Sequence, residues 1–292
     1  MVAGALKRYE RAAWRSSAVV IAEYSTSFGL ATRMLRPTTR RHIRDVYALV
    51  RLADEVVDGV AAESGLGPDE VAAALDALEV DTYRAMATGY STNLVVQAFA
   101  STARAVDIRE EIVRPFFTSM RMDLDHATHT PESFATYVYG SAEVVGLMCL
   151  QAFLAEGPPP SPENRPTLEA GARRLGAAFQ KVNFLRDLAA DSGGLGRAYF
   201  PGVEPAELDE AAKAAILDDI DADLDAAAAT LPLLPRGPRR AVALAHALFA
   251  ELAERIRRTP AERLRTTRVR VPDLVKLRLA ALAVVDRLPR KR

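Results

Sequence analysis

Proline- and glycine-rich breaks divide this chain into long segments that carry helical periodicity. Such breaks stand at residues 64–68, 157–162, 192–196 and 232–238, and a further one is predicted at Pro115. The strong helix formers Ala, Leu, Arg and Glu dominate between the breaks. No alternation of apolar and polar residues, the mark of a half-buried strand, interrupts the segments. The pattern predicts an all-α fold rather than an alternating α/β sheet.

The size and charge of the chain narrow its class further. Its 292 residues suit one large domain or two ordinary ones. The chain has 38 basic and 38 acidic residues, so it carries no net positive charge that would indicate nucleic acid as a partner. The single cysteine, Cys149, cannot form an intrachain disulfide and indicates a cytosolic protein.

No segment of the sequence reads as a targeting or membrane-spanning element. The N-terminus lacks the apolar core of a signal peptide, and no apolar run reaches the ~18 residues that a membrane span needs. Residues 271–292 mix Leu and Ala with Lys and Arg, which fits either a core helix with a basic tail or contact with an anionic membrane. We expect a cytoplasmic protein, at most peripheral on the inner face of a membrane, with flexible ends at residues 1–15 and 288–292.

One helical segment aligns polar side chains on a single face. Tyr47, Arg51, Asp54 and Asp58 are spaced i, i+4, i+7 and i+11, which places them along one side of a helix. The alternative is a solvated stripe in which Arg51 pairs with Asp54 or Glu55, a contact that contributes only about 0.2–0.5 kcal/mol. This face alone does not decide between the two interpretations.

A second segment repeats the arrangement. Asn183, Asp187 and Asp191 are spaced i, i+4 and i+8, and Gln180 precedes them by one turn. Asn is a poor residue for the middle of a helix, so its presence indicates a specific role. An amide and two carboxylates form a hard oxygen ligand set that suits Mg²⁺ or Mn²⁺ better than zinc.

The two acidic faces together predict a metal-assisted diphosphate site. Carboxylates that face each other across a helical core are costly without a cation. Mg²⁺ takes few protein ligands and completes its shell with water and phosphate oxygens, and it can act as a Lewis acid for a leaving diphosphate. The break at residues 157–166 lies between the two faces. We therefore interpret it as a surface loop within one domain that spans residues 1–292.

The sequence resembles the squalene/phytoene synthase family of head-to-head trans-prenyltransferases. The resemblance covers about residues 20 to 280. It rests on three blocks: residues 24–37 running into 47–58, residues 122–125 followed by 137–146, and residues 180–191 ending in 196–201. It implies a single-domain helical bundle of the isoprenoid-synthase type around a central cavity.

The resemblance also implies roles for individual residues. The expected ligands of Mg²⁺ are Asp54, Asp58, Asn183, Asp187 and Asp191. The positions that match diphosphate contacts are Tyr24, Ser25, Thr26, Ser27, Tyr47, Arg51, Gln180, Asn183 and Arg186, although the Ser/Thr cluster can instead cap a helix. The residues implied to act in catalysis are Arg51, Asp54, Asp58, Tyr137, Asp187 and Asp191, with Tyr137 beside the reacting carbons.

Several positions depart from the family pattern or allow two interpretations. Glu55 stands where the usual first motif has Asp, and Glu143 stands where the small-residue pattern usually ends in Gly. An acid at residue 143 either reshapes the cavity or faces solvent. The aromatic residues Phe179 and Phe184 can line the cavity and attract a carbocation, or belong to the core.

The implied reaction joins two prenyl diphosphates head to head through a cyclopropyl diphosphate. The residues of the motifs are most similar to those of bacterial enzymes of the carotenoid pathway. This similarity favours a phytoene synthase that acts on geranylgeranyl diphosphate without NADPH. The alternatives are a squalene or dehydrosqualene synthase acting on farnesyl diphosphate, and a terpene cyclase acting on a single prenyl diphosphate. A non-catalytic helical relative is a further, less favoured interpretation. Peripheral membrane contact would assist product release.

Overall fold

The protein is built from helices throughout the part that the structure describes. The computed structural model describes residues 2–125, 128–190 and 198–285, and within these ranges the side chains of residues 2, 3, 26, 27, 189 and 190 fall outside the description. No strand occurs in these ranges, and one isolated bridge joins Thr128 to Ala198. The helices are α1 (Val2–Tyr24), α2 (Thr26–Thr32), α3 (Pro37–Val57), α4 (Val60–Glu63), α5 (Pro68–Thr88), α6 (Leu94–Val106), α7 (Glu110–Asp125), α8 (Pro131–Val138), α9 (Val144–Leu154), α10 (Asn164–Ala190), α11 (Glu210–Thr230), α12 (Arg236–Arg258), α13 (Ala261–Leu264) and α14 (Asp273–Val284).

Local signals explain where several of these helices begin. Thr130 caps α8, because its Oγ1 accepts a hydrogen bond from the backbone N–H of Ser133 at 3.2 Å, and Pro131 occupies the first turn. Asn93 caps α6 by accepting from the N–H of Val95 at 3.0 Å. These hydrogen bonds fix the first residue of each helix, and the first residue in turn determines which side chains of the helix face the core.

Two segments bear on predictions from the sequence. The flexible end at residues 1–15 stays a prediction, and α1 is helical from Val2 onward. Tyr9 donates a hydrogen bond to the carbonyl of Ser91 at 2.8 Å, and Ala13 is buried. The predicted break at Pro115 is wrong, since α7 continues through it. Pro115 lies in the second turn of α7, where a proline removes an intrahelical hydrogen bond. The buried side chains of Val113, Phe116 and Phe117 pack this part of the helix into the core.

The apolar core forms two main clusters on either side of a central cavity. One is built from α3, α5, α6, α7 and α9, and the other from α10, α11 and α12 with the segments that flank them. α3 and α10, which carry the two predicted acidic faces, therefore belong to different halves of the core. In this arrangement the two acidic faces can lie opposite each other across the cavity.

A π-helical turn, Tyr139–Glu143, joins α8 to α9 and packs very closely against α7 and α10. A Cβ atom at Gly140 would lie 2.1 Å from the carbonyl oxygen of Pro115, and one at Gly176 would lie 2.4 Å from that of Ala142. Only glycine allows these approaches. The stretch Pro131–Leu154 is long and apolar enough to cross a membrane by length and composition, contrary to the sequence reading, but 56% of its apolar window is buried inside the protein.

Candidate functional site

A cavity of about 1030 Å³ lies between the two halves of the bundle. Polar side chains line one end and apolar side chains line the other. Along α10 the lining runs from Asn183 down to Leu168, which at ~1.5 Å per residue is roughly 22 Å. The volume of the cavity lies at the upper end of the range of roughly 300–1,000 Å³ that is usual for small-molecule sites.

The face of α3 contributes three of its four predicted residues to the polar end. Tyr47, Arg51 and Asp54 line the cavity, whereas Asp58 follows the last residue of α3 and is exposed. The Arg51 Nη1 atom lies 3.9 Å from the Asp54 Oδ2 atom, and Arg51 Nη2 donates to Glu55. The pairing that the sequence offered as an alternative thus exists, but it lies in the wall of the cavity and not in a solvated stripe.

The face of α10 contributes Gln180, Asn183 and Asp187, together with Arg186. Asp191 lies outside the described residues. The Oδ1 atom of Asn183 is buried, and none of the residues that the structure describes donates a hydrogen bond to it. A buried acceptor without a donor costs on the order of 1–3 kcal/mol, so this atom is placed for a ligand that the fold itself does not supply.

Asp187 is held between two guanidinium groups. Arg186 Nε donates to Asp187 Oδ1 at 3.0 Å, and Arg268 Nε lies 2.7 Å from the same oxygen. Sequence reasoning missed Arg268, because it lies in the irregular segment after α13, where no periodicity relates it to the acidic faces. Arg270 and Lys276, from the same region, also line the cavity. The polar end therefore combines carboxylates with several cations, as a site for an anion and a metal ion would.

The segment between α1 and α2 closes this end of the cavity. Tyr24 and Ser25 line it, and the Arg51 guanidinium carbon lies 4.5 Å from the centre of the Tyr24 ring. Ser25 is also the N-cap of α2, since its Oγ accepts from the N–H of Phe28 at 3.2 Å. The capping role that the sequence left open is confirmed for Ser25. Burial raises the pKa of Tyr47, so its hydroxyl stays protonated and can donate to an anion.

Tyr137 is not placed at the cavity wall. Its side chain is buried in the core, its hydroxyl donates to Asp123 Oδ2 at 2.9 Å, and its ring lies against Phe184 and Tyr199. Phe184 stacks on Tyr199 with ring centres 4.0 Å apart and is likewise a core residue. The sequence could not separate these rings from the cavity wall, because an aromatic residue at helical spacing fits both places.

The aromatic wall of the cavity is formed by other rings. Phe179 stacks on Phe249 with ring centres 3.8 Å apart, and Phe28 lies 5.6 Å from Phe179. All three line the cavity below the polar end. Their faces can stabilise a positive charge by about 1–2 kcal/mol each in a dry site. Neither Phe28 nor Phe249 was singled out from the sequence. Phe28 lies within the first motif block, directly after Ser27, whereas Phe249 lies on α12, outside every motif.

Glu143 does not enter the cavity. Ser141 and Ala142, its neighbours in the π-helical turn, line the cavity, while the Glu143 carboxylate accepts a hydrogen bond from Arg173 Nε at 2.6 Å. The π-helical turn, a feature often found at functional sites, turns the small residues inward and the acid outward. Glu143 therefore leaves the shape of the cavity unchanged.

The donors at the polar end fit a hard divalent cation. Asp54 and Asp187 present carboxylates to one cavity, and Asn183 adds its unpartnered amide oxygen. Within the described ranges, no three or more His, Cys, Asp or Glu side chains cluster to hold a metal by themselves. Mg²⁺ needs only one or two protein carboxylates when substrate oxygens and water complete its shell. The arrangement is consistent with metal binding that depends on a phosphate-bearing substrate.

Comparison with known proteins identifies the family. A sequence model described as squalene/phytoene synthase matches residues 21–274. The chain belongs to the squalene/phytoene synthase family. Phytoene synthase 1 of Solanum lycopersicum is 32% identical over 204 residues, a match that covers 68% of this chain and 45% of that protein. The 15-cis-phytoene synthase of a Paracoccus species is 30% identical over 191 residues, covering 64% and 60% of the two chains.

Solved structures confirm the predicted fold. A dehydrosqualene synthase in complex with a ligand superposes with a TM-score of 0.81 at 21% identity, over 96% of this chain and 98% of that one. A squalene synthase from Alicyclobacillus acidocaldarius gives a TM-score of 0.71 at 20% identity, over 88% and 96%. At these identities the likeness establishes the fold of this squalene/phytoene synthase relative, an all-α bundle. The chain spans about half the length of the plant relatives that it matches.

Proposed function

We propose that the protein is a prenyltransferase that condenses two geranylgeranyl diphosphates head to head to give phytoene and two diphosphates. The observation that carries the proposal is the cavity itself. The two polar helix faces meet at one end of it, and an apolar tunnel lined by aromatic rings extends from that end. Such a cavity suits a substrate with an anionic head and a long hydrocarbon tail.

The reaction breaks two C–O bonds and forms a new C–C bond. The first substrate loses diphosphate, which leaves with the electron pair, and the double bond of the second substrate attacks the allylic cation. Loss of a proton gives a cyclopropyl diphosphate. This intermediate loses its own diphosphate, rearranges, and releases a second proton to form the hydrocarbon. No reductant is consumed, so NADPH is not required.

The residues of the chain have distinct tasks in this scheme. Asp54, Asn183 and Asp187 would hold Mg²⁺, with Mn²⁺ as a substitute. When bound, the metal neutralises the leaving diphosphate. Arg51 and Arg186 offer planar donors to phosphate oxygens.

The aromatic rings and the apolar tunnel have their own tasks in the same scheme. The rings of Phe28, Phe179 and Phe249 stabilise the cation and exclude water from it. The apolar lining below them holds the two hydrocarbon tails.

Product analysis tests the proposal directly. Pure protein is incubated with Mg²⁺ and labelled geranylgeranyl or farnesyl diphosphate, without NADPH. A C40 hydrocarbon from geranylgeranyl diphosphate supports phytoene synthase. A C30 product from farnesyl diphosphate, with no C40 product, would replace it by a squalene or dehydrosqualene synthase. A cyclic C15 or C20 product would replace it by a terpene cyclase.

Variants of the two faces link the activity to this site. Asp54→Ala and Asp187→Ala are each expected to lose several orders of magnitude in turnover while keeping the helical circular dichroism of the parent protein. Asp218→Ala, at an exposed carboxylate on α11, is the matched control and should remain active. Near-normal activity of both site variants would overturn the assignment.

A further inference from the structure

Helix α14 carries apolar residues on two of its sides, but the described part of the protein covers only one of them. Leu279 and Ala283 are buried against Leu244 and Leu248 of α12. The opposite side presents a stripe of exposed apolar residues on successive turns, with Leu274 at 81% and Leu277 at 60% exposure, followed by Ala281, Val284 and Val285, and the exposed Arg278 lies on the same side. We call these apolar residues the α14 stripe. A surface helix of a soluble protein normally has a polar outer side, so such a stripe marks a contact with something apolar.

A groove of about 440 Å³ adjoins the α14 stripe. It lies between α2, α12 and α14, and its walls combine apolar side chains with the guanidinium groups of Arg33 and Arg240. Among the described residues, no carboxylate lies within 4.0 Å of either guanidinium. The groove thus pairs unneutralised positive charge with apolar surface, which is the chemistry of an anionic amphiphile.

Further arginines strengthen the positive charge beside the groove. Arg44 lies close enough to Arg33 and Arg40 for the three positive charges to interact. The apolar stripe is therefore bordered by cations, as in helices that lie at the interface of an anionic membrane.

The α14 stripe also begins at the mouth of the large cavity. Pro272, Asp273 and Lys276 line the cavity, and Leu274 and Leu277 lie on the same turns of the chain. Any partner that binds the α14 stripe therefore lies next to the polar end of the cavity.

We propose that the α14 stripe and the adjoining arginine groove form a docking surface for an anionic phospholipid bilayer. A second copy of the chain fits this surface less well. A two-fold interface brings each patch against itself, so Arg33, Arg240 and Arg278 would meet their own counterparts, and like charges in contact are unfavourable. A bilayer instead offers phosphate groups to the arginines and acyl chains to the leucines.

Docking in this position would set the cavity mouth against the lipid. If the proposed function holds, a water-insoluble substrate tail and product can then pass between cavity and bilayer without crossing water. That consequence rests on the proposed function, but the docking itself does not.

Vesicle flotation of the full chain tests the docking without any substrate. Vesicles of phosphatidylcholine alone are compared with vesicles that contain phosphatidylglycerol, at low and high salt. The double variant Leu277→Gln/Val284→Gln removes apolar contact, and Arg33→Gln/Arg240→Gln removes charge. The matched controls are Val80→Gln, at a 66% exposed valine of α5, and Arg258→Gln, at an exposed arginine of α12.

We expect the parent protein and both controls to float with the phosphatidylglycerol vesicles, and to release at high salt. The apolar double variant should bind at least about tenfold more weakly. The arginine double variant should lose about fivefold per charge and most of its salt dependence. Thermal melting of each variant shows that the fold is retained, since every changed side chain lies on the surface.

Three results would overturn the proposal. One is failure of the parent protein to float with either vesicle. Another is unchanged flotation of the apolar double variant. The third is a dimer in analytical ultracentrifugation that Leu277→Gln/Val284→Gln dissociates, without vesicle binding, which would make the surface an interface between copies. Loss of prenyltransferase activity with intact flotation would instead count against the proposed function alone.

Discussion

Arg268 places its Nε atom 2.7 Å from Oδ1 of Asp187, although the two residues come from different ends of the second half of the chain. Arg186 also donates to this carboxylate, so two guanidinium groups neutralise it. Under the proposed function, a divalent ion bound at Asp187 would compete with this pairing and leave the Arg268 guanidinium available to a diphosphate. Arg268 is therefore an exposed cation that its contact with Asp187 holds at the mouth of the cavity.

Arg268→Gln is expected to lower kcat/KM for the prenyl diphosphate by about ten- to a hundredfold, because hydrogen bonds to charged groups contribute ~1.5–3 kcal/mol. Arg268→Lys keeps the charge without the planar fork and should recover only part of the loss. Steady-state kinetics at saturating Mg²⁺ measure both. Arg258→Gln serves as the control, and parent-like kinetics of Arg268→Gln would show that the pair with Asp187 is merely structural.

We expect Asn183 to lower the free energy of unfolding of the protein and to be required for its activity. Its Oδ1 atom is buried without a hydrogen-bond donor, so replacement by Leu removes an unsatisfied acceptor of similar size. We expect Asn183→Leu to raise the free energy of unfolding of the metal-free protein by about 1 kcal/mol and to abolish turnover. Chemical denaturation and product assays test the two halves. A destabilised Asn183→Leu protein would instead assign the amide a structural role.

The sequence was sufficient for the fold and for most of the polar end of the cavity. Periodicity and breakers predicted an all-α chain, and helical spacing alone aligned Tyr47, Arg51 and Asp54 on one face. Spacing failed where the functional side chain lies off a regular helix, as for Arg268, or where the helix has just ended, as for Asp58. It also could not rank aromatic residues, because the core and the cavity wall both select them.

Tertiary contact explains the remaining differences. The inward turn of Ser141 and the outward turn of Glu143 depend on the π-helical geometry and on the Arg173 partner, neither of which has a sequence signature. The burial of Tyr137 depends on the stack that it forms with Tyr199. The metal roles of Asp54, Asp58, Asn183, Asp187 and Asp191 all remain predictions, and Asp191 lies outside the described residues.

The depth of the cavity should set the preferred chain length. Ala172 lines the cavity on α10, roughly 16 Å below Asn183 at ~1.5 Å per residue. Ala172→Phe would fill the tunnel at that depth, at a cost of about 1–3 kcal/mol to any tail that must reach past it.

We expect Ala172→Phe to lose ten- to a hundredfold in kcat/KM with geranylgeranyl diphosphate and much less with farnesyl diphosphate. Ala170→Phe, on the exposed side of the same helix, is the matched control. Competition between the two labelled substrates gives the ratio directly, and an equal loss for both would place Ala172 outside the path of the tail.

His42 and Asp45 form a buried pair beside the cavity, and we expect each of them to make the stability of the protein depend on pH in a way that the other cancels. His42 Nδ1 lies 2.9 Å from Thr102 Oγ1, and that hydroxyl donates to Asp45 Oδ2 at 2.7 Å. Burial, with help from the charge of Arg41, lowers the pKa of His42 from 6.5 to about 4. Burial raises the pKa of Asp45 from 3.8 to about 7, against the opposing effects of its hydrogen bonds and of Arg41 and Arg44.

The two shifts act on stability in opposite directions. The raised pKa of Asp45 gives stability that is complete below pH 3.8 and is lost as the pH rises through 7. The lowered pKa of His42 gives stability that is complete above pH 6.5 and is lost as the pH falls through 4. Between pH 4 and 6.5 the folded pair holds one proton on Asp45, and the unfolded pair holds one proton on His42. Their contributions therefore cancel in the parent protein.

Single substitutions should reveal each slope relative to the parent protein. His42→Asn leaves Asp45, so the free energy of unfolding should fall with rising pH, by up to about 1.4 kcal/mol per unit. Asp45→Asn leaves His42, so the free energy of unfolding should rise with pH by a similar amount. Urea denaturation at several values between pH 4.5 and 6.5 measures both, and the double variant should return the slope of the parent protein. Slopes of the same sign in the two single variants would show that His42 and Asp45 do not hold these opposite protonation states in the folded core.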